Sequence, residues 1–314
     1  MECYLSKLVA NRYWRTMKKI VLILSIIILT FSSCKDPVEP AELKVVTKGI
    51  ENSEPYISYI QAVTRVSDAK KRLKGMPAGD IVWKAIRAHG GLLKWYANGP
   101  VSFRFKYQPL DGSMDRDTYQ IVDTYSSKVV HTSAEDCISK FGTNNNTFWV
   151  MAKDSTIFKF DTKFWALTPF YFIGQPFVLD GEGVKLQLLA PLSYNNELQD
   201  VIKVTFDAGT GDAPDDYYIL YFNKETHLLS VIRYVVSYPK YFKEGSSSPE
   251  KFMEVVYGSQ VKGILFPNCY KTYLSTKDGE PGDYITKIDI TNIEFKSNLE
   301  KSYFDTPAGA KLVE

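Results

Sequence analysis

The feature that most constrains this chain is a change of hydrophobic period near residue 101. From there Val101, Phe103, Phe105 and Tyr107 alternate with polar residues, the pattern of a half-buried strand. Strand-like runs recur at 119–125, 128–132, 147–152, 156–160, 184–189, 201–206, 217–222, 228–238, 252–258, 264–273 and 284–295. Gly, Asn, Asp or Pro separates most of them, which is the chemistry of tight turns. About eleven strands at hairpin spacing, with no helices between them, specify an antiparallel meander, and so wide a sheet curls. An aromatic content of 14%, with 21 Tyr and 18 Phe, suits such a sheet better than helices.

Upstream the period is helical. Ile57, Ile60, Val63, Val66 and Leu73 recur on one face between residues 56 and 73, with Lys70, Lys71 and Arg72 outward. A second helix follows Pro77, with Asp80 near its start and an apolar face through Ile81, Val82, Ala85, Ile86 and His89. Gly90 and Gly91 interrupt it, and Leu92 to Tyr96 add a further turn or two. The expected fold class is therefore mainly β with flanking helices (α+β). Segment 164–177 breaks the strand alternation: it is almost wholly apolar and carries Pro169 and Pro176, so it makes a poor central strand. It is expected to form a short helix and loop across the concave face of the sheet. There it is either a plug completing the core or a lid over a hydrophobic cavity.

Residues 17–36 have basic Lys18 and Lys19, an apolar core, and small residues before Cys34, which together make a secretory signal. The apolar run is short for a membrane span of about 20 residues. Small residues leading into a cysteine resemble a bacterial lipobox, with Phe31 where that pattern usually has Leu. The resemblance implies cleavage before Cys34 and a diacylglycerol on its sulfur, tethering the protein to a membrane without spanning it. A plain signal anchor, or ordinary cleavage with Cys34 incidental, are the alternatives. On this reading residues 1–33 are an over-called start plus signal peptide, with Met17 as initiator. Residues 34–55 are the lipidated Cys34 and a polar tether, and 56–314 a single folded domain. The expected location is the cell envelope, lipid-anchored. Lys35-Asp36 resembles a surface-display tag that Pro37 breaks.

Without residues 1–33 the chain has 33 Lys and Arg against 35 Asp and Glu, near −2. That balance gives no electrostatic footprint for nucleic acid. Only Cys137 and Cys269 then remain besides Cys34; an oxidising compartment would let them pair, and two free thiols in the core are the alternative. There is no Gly-x-Ser-x-Gly elbow, His-Glu-x-x-His or phosphate loop. No catalytic residue, metal site or cofactor is therefore assigned. His89, before two glycines, is expected to bond carbonyls at a helix end; His131 and His227 have no evident partner. The acidic stretches 111–117 and 211–216 lack EF-hand spacing and read as solvated hairpin tips.

Several segments together resemble Bacteroidota lipoproteins related to the LolA/LolB lipoprotein-carrier superfamily. They are Ala88-His89-Gly90-Gly91 with Trp95, Leu167-Thr168-Pro169-Phe170-Tyr171, and the hairpin from Tyr221 to Leu229. Val261-Lys262-Gly263-Ile264-Leu265-Phe266-Pro267 and Phe304-Asp305-Thr306-Pro307 complete the set. The resemblance implies an outer-membrane setting and an incomplete antiparallel barrel wrapped around helices, whose apolar hollow holds lipid chains. No functional residue is carried over from LolA. Among the many aromatics, which include Trp83, Trp149 and Tyr171, the candidates to line the hollow are Trp95, Phe103, Phe105, Trp165, Phe170, Phe172 and Phe177. Aromatics in such numbers also build cores. The leading expectation is a non-enzymatic, membrane-tethered protein that shields an acyl chain, a lipoprotein or a similar lipophile. The runner-up is an envelope scaffold with a filled core. A hydrolase would need polar side chains inside the hollow, where the inward faces read as apolar, and glycan capture would need stacking aromatics exposed on loops.

Overall fold

The computed structural model describes residues 55–313 apart from 146, 208–209, 211–212 and 214. The signal segment, Cys34 and the tether through residue 54 lie outside the described residues. Three helices come first: α1 (Tyr59–Leu73), α2 (Pro77–Ala88) and α3 (Leu92–Ala97). Strands β1 (Val101–Pro109), β2 (Arg116–Val122), β3 (Val129–Ser133), β4 (Lys140–Asn144) and β5 (Thr147–Met151) follow. Helix α4 (Thr162–Ile173) and a 3-10 turn, Phe177–Asp180, lead to β6 (Val184–Tyr194) and β7 (Glu197–Phe206). Next are β8 (Tyr218–Asn223), β9 (Leu229–Tyr234), β10 (Lys251–Val261), β11 (Ile264–Ser275) and β12 (Pro281–Phe295). A second 3-10 turn, Lys301–Phe304, precedes β13 (Lys311–Val313). No helix among the described residues is long and apolar enough to cross a membrane.

All thirteen strands form one curled, unclosed sheet in the order β13-β5-β4-β3-β2-β1-β12-β11-β10-β9-β8-β7-β6. Every neighbouring pair is antiparallel. The chain runs outward from β1 to β5, crosses to β6 at the far edge, and returns strand by strand until β12 pairs with β1. The segment between β5 and β6 therefore has to traverse the sheet, and it is here that α4 lies, packed on β3, β4 and β5. Its N-terminus is capped by Asp161, whose carboxylate accepts from the Phe164 N–H at 3.1 Å. Pro169 sits inside the helix and removes the N–H that would have bonded the Trp165 carbonyl.

The structure corrects the expected strand pattern at three places. Residues 156–160 form turns rather than a strand. Phe158 and Phe160 instead turn their rings onto Phe141, at centroid distances of 4.9 and 5.8 Å. Strand β4 was hidden by its composition, Lys-Phe-Gly-Thr-Asn, which resembles a turn. Its Gly142 is required because an added Cβ would lie 2.9 Å from the Trp149 ring and closer still to the Val129 carbonyl. The short β13 closes over β5 as an edge strand.

Helix α1 begins with a capping box between Ser58 and Gln61. Its inward stripe differs from the one expected. Ala62, Ala69 and Leu73 are buried, whereas Ile60 and Val63 are exposed. The reason is electrostatic. Arg65 and Arg72 occupy the same flank as the alanines, and both reach Asp180 at the end of the crossover. The Asp180 carboxylate, 3% exposed, accepts from Arg65 Nε at 3.1 Å and from the Tyr96 hydroxyl at 2.7 Å. The Arg72 Nε donates to the Asp180 carbonyl at 2.8 Å. The buried carboxylate raises the pKa of both Tyr96 and Arg65. For Tyr96 desolvation acts first and in the same direction; for Arg65 desolvation opposes the rise.

Asp180→Ala should lower the unfolding free energy by about 2–4 kcal/mol, because it leaves a guanidinium and a phenol facing an empty buried site. Urea unfolding measures this; a loss below about 1 kcal/mol would mean that the crossover is held by packing alone.

Candidate functional site

Beneath the crossover lies a hollow of about 880 Å³, within the range of small-molecule sites. Trp95 on α3 is the centre of its floor. The Trp95 indole stacks on Phe177 at 4.5 Å and 10° and on Phe170 at 6.3 Å and 15°, and meets Phe266 and Phe295 at wider angles. It is placed there by the Gly90-Gly91 turn, where both residues have positive φ (122° and 90°). At Gly90 a Cβ would collide with the start of β11, which the chain approaches closely enough for the Leu265 N–H to donate to the His89 carbonyl at 2.9 Å. On the other flank, Phe172 packs against Tyr234 and Tyr270. Burial pushes the phenols of Tyr218 and Tyr234, which also line the space, above their ordinary range.

The mouth carries a different set. Trp165 meets Tyr107 edge-on at 5.1 Å, and Phe164 meets Tyr238 and Tyr241 at 5.1 and 5.3 Å. Tyr241, 47% exposed, marks the open side. Lys240 forms an ion pair with Asp161 at 2.7 Å and so ties this loop to the first turn of α4. Arg116 begins β2 opposite Tyr107 in register, and its guanidinium lies over the rings of Tyr107 (5.0 Å), Trp165 (4.7 Å) and Phe160 (6.0 Å).

Of the seven aromatics expected to line the hollow, the structure brings five to it: Trp95, Trp165, Phe170, Phe172 and Phe177. Phe103 and Phe105 are corrected. They alternate along β1 with the same period as Tyr107 and belong to the main core, but neither lines the space. The expectation that inward faces are apolar is also corrected. On β2, β3 and β4 the core face carries Thr118, Gln120, His131, Ser133 and Thr143, all buried. Sequence alternation contained this, since 116, 118 and 120 share one face, but the acidic neighbours of Arg116 drew it into a solvated tip.

Part of this polar set holds the crossover down. Gln120 donates to Thr118 Oγ1 at 3.2 Å, and Thr118 Oγ1 lies 3.0 Å from His131 Nδ1. His131 Nε2 lies 2.9 Å from the Ala166 carbonyl, on α4. A carbonyl only accepts, so Nε2 carries the proton and Nδ1 accepts from Thr118. His131 is thus a latch between sheet and crossover, next to the backbone that Pro169 disrupts. His89 caps α2 as expected, with Nδ1 donating to the Ala85 carbonyl at 2.7 Å. Its Nε2 faces the Tyr257 hydroxyl at 2.7 Å, and that hydroxyl also faces the Leu229 carbonyl at 3.0 Å.

Cys137 and Cys269 are both free thiols. Cys137 follows β3, which lies four strands from β11 and Cys269, a separation of about 19 Å across the sheet. A disulfide requires Cα atoms within about 7 Å. Burial raises the Cys269 thiol above its usual pKa.

No protein-family model matches the sequence, and no curated protein does. Among solved structures, a DUF1329-family protein from Desulfovibrio piger ATCC 29098 has 12% identity and a TM-score of 0.50, over 73% of this chain and 97% of that one. A LolA-superfamily protein from Nitrosomonas europaea has 12% identity and a TM-score of 0.48, over 74% and 99%. A putative outer-membrane lipoprotein-sorting protein domain from Vibrio parahaemolyticus has 8% identity and a TM-score of 0.45, over 79% and 97%. At such identities the likeness to the first is one of fold. The incomplete antiparallel barrel around helices, expected from the sequence resemblance, is the architecture observed.

Burial holds His131 down to about 3, against a smaller upward pull from its bond to Ala166, and holds His89 down to about 4. Both lie below the unfolded value of about 6.5, so the unfolded chain takes up protons first. Their stabilisation is complete above pH 6.5 and is lost as pH falls toward the folded values. The unfolding free energy should decline below pH 6.5 by up to about 1.4 kcal/mol per pH unit for each ring. An NMR titration should find His131 neutral at pH 5; a midpoint near 6.5 would show that the latch is open to water.

Proposed function

We propose that this chain is a non-enzymatic protein of the cell envelope, tethered through a lipidated Cys34, that holds an acyl chain or similar lipophile beneath its crossover segment. The observation that carries the reading is the hollow itself: about 880 Å³ with a wall of aromatic side chains interspersed with polar ones, beneath a segment that touches the sheet from one side. Apolar surface left facing such a space is stabilised by an apolar occupant, at about 25 cal/mol per Å² removed from water. The secretory signal and the cysteine at residue 34 support placement outside the cytoplasm, and the outer membrane is the proposed site of the anchor. A LolA-like carrier role is consistent with the fold, and shared fold alone does not carry function.

One observation favours a second reading, an envelope scaffold acting through its surface. The crossover is tied at Asp161, Ala166 and Asp180, which suits a fixed plug better than a lid.

Mass spectrometry of an organic extract separates the two. The Cys34→Ser form, purified from the native envelope, should yield a lipid near one equivalent. Leu167→Trp places an indole in the hollow from a half-buried, lining position and should lower lipid occupancy about tenfold while preserving the thermal midpoint within a few degrees. A clean extract from folded protein that also refuses added fatty acid would favour the scaffold.

A further inference from the structure

The hollow is not uniformly apolar, and its charges are unevenly matched. Arg65 is paired with Asp180, and Lys251 faces Asp216, whose field opposes the fall that burial imposes on the Lys251 ammonium. Arg116 has no such partner. Its two acidic neighbours are engaged elsewhere, Asp117 by Arg104 at 2.6 Å and Asp115 by Lys106 at 3.4 Å. Asp161, which acts on Tyr241 together with Arg116, is held by Lys240 and the Phe164 N–H. The exposed Asp111 feels the field of Arg116 only weakly and is bonded by Ser113. Among the described residues the Arg116 guanidinium makes no ion pair or hydrogen bond, and its Nε is buried without a partner.

A charged donor left so is costly unless something completes it. Three aromatic rings lie within 6.0 Å of the guanidinium carbon, and a guanidinium carries further N–H donors on its terminal nitrogens in a fork that suits a two-oxygen anion. Two lining residues, Thr143 and Gln175, also carry a buried side-chain oxygen without a partner among the described residues, so the polar character of the wall extends beyond Arg116. Lys163, over the Phe148 ring on the first turn of α4, adds a second cation without an ion-pair partner among the described residues. The aromatic floor around Trp95 and Phe170 supplies the apolar end.

We infer that Arg116 is a headgroup-binding residue and that the ligand is an anionic amphiphile. Its carboxylate or phosphate sits on the guanidinium within the collar of Tyr107, Phe160 and Trp165, and its chain runs into the hollow. This rests on the lipophile-binding reading above and adds to it the charge of the ligand.

Calorimetric titration of the full-length Cys34→Ser protein, stripped of co-purifying lipid, with oleic acid, oleyl alcohol and oleoyl lysophosphatidic acid tests it, since the three share one chain. Oleate or the lysophosphatidate should bind about tenfold or more tighter than the alcohol, the value expected of a charge-assisted bond. Whichever anion is favoured identifies the head as carboxylate or phosphate. Arg116→Gln should abolish that preference and leave alcohol binding within about twofold, while Arg116→Lys should retain part of it. Equal binding of all three by the unaltered protein would overturn the inference and leave the lipophile reading standing. An equal loss for all three in Arg116→Gln would also overturn it, making Arg116 a stacking prop. Binding of none would overturn both readings.

Discussion

The pairing of β1 with β12 is the constraint on which the rest depends. It joins the two halves of the sheet at their inner strands and leaves β5 near one edge and β6 at the other. The chain between them must cross the whole sheet, and it must bury itself on the way because it is almost wholly apolar. Both the hollow and its roof follow from that single pairing. A two-residue hairpin between β5 and β6 would have abolished both.

Having to cross, the segment also needs its backbone satisfied, since buried polar groups without partners are expensive. Asp161 supplies the N-terminal cap, His131 reaches up from β3 to the Ala166 carbonyl, and the charges of α1 meet Asp180 at the far end. The helices are arranged around this need. Helix α1 gives its inner flank to Ala62 and Ala69, which let it approach closely, and to Arg65 and Arg72, which reach the crossover. Its larger apolar residues Ile60 and Val63 are left outside.

The two sides of the hollow then differ in kind. Strands β2 to β4 carry Thr, Gln, His and Ser on the core face, where Gln120, Thr118 and His131 form a chain of hydrogen bonds that ends on α4. Strands β8 to β12 instead bury Leu220, Phe222, Ile232, Tyr270 and Ile288. An amphipathic occupant fits that division better than a purely apolar one. Arg116 stands where the polar side meets the mouth, with three aromatic rings around it and no ion pair among the described residues.

What the sequence by itself determined is the architecture. Period-two alternation with turn residues at hairpin spacing admits little besides an antiparallel sheet, and about eleven such strands must curl. The helical period before residue 101, the capping role of His89 and the departure of 164–177 from strand pattern were legible for the same local reason. Tertiary structure alone decided the rest. Strand β4 and the turns at 156–160 depend on what packs beside them: Gly142 on the Trp149 ring, and Phe158 and Phe160 on Phe141. Phe103 and Phe105 carry the same alternation as Tyr107, yet only Tyr107 reaches the hollow. Arg116 reads locally as one charge in an acidic turn. That it makes no ion pair among the described residues appears only when strand register and the crossover assign Asp115, Asp117 and Asp161 to other bases, because pairing is a property of distances between segments far apart in the chain.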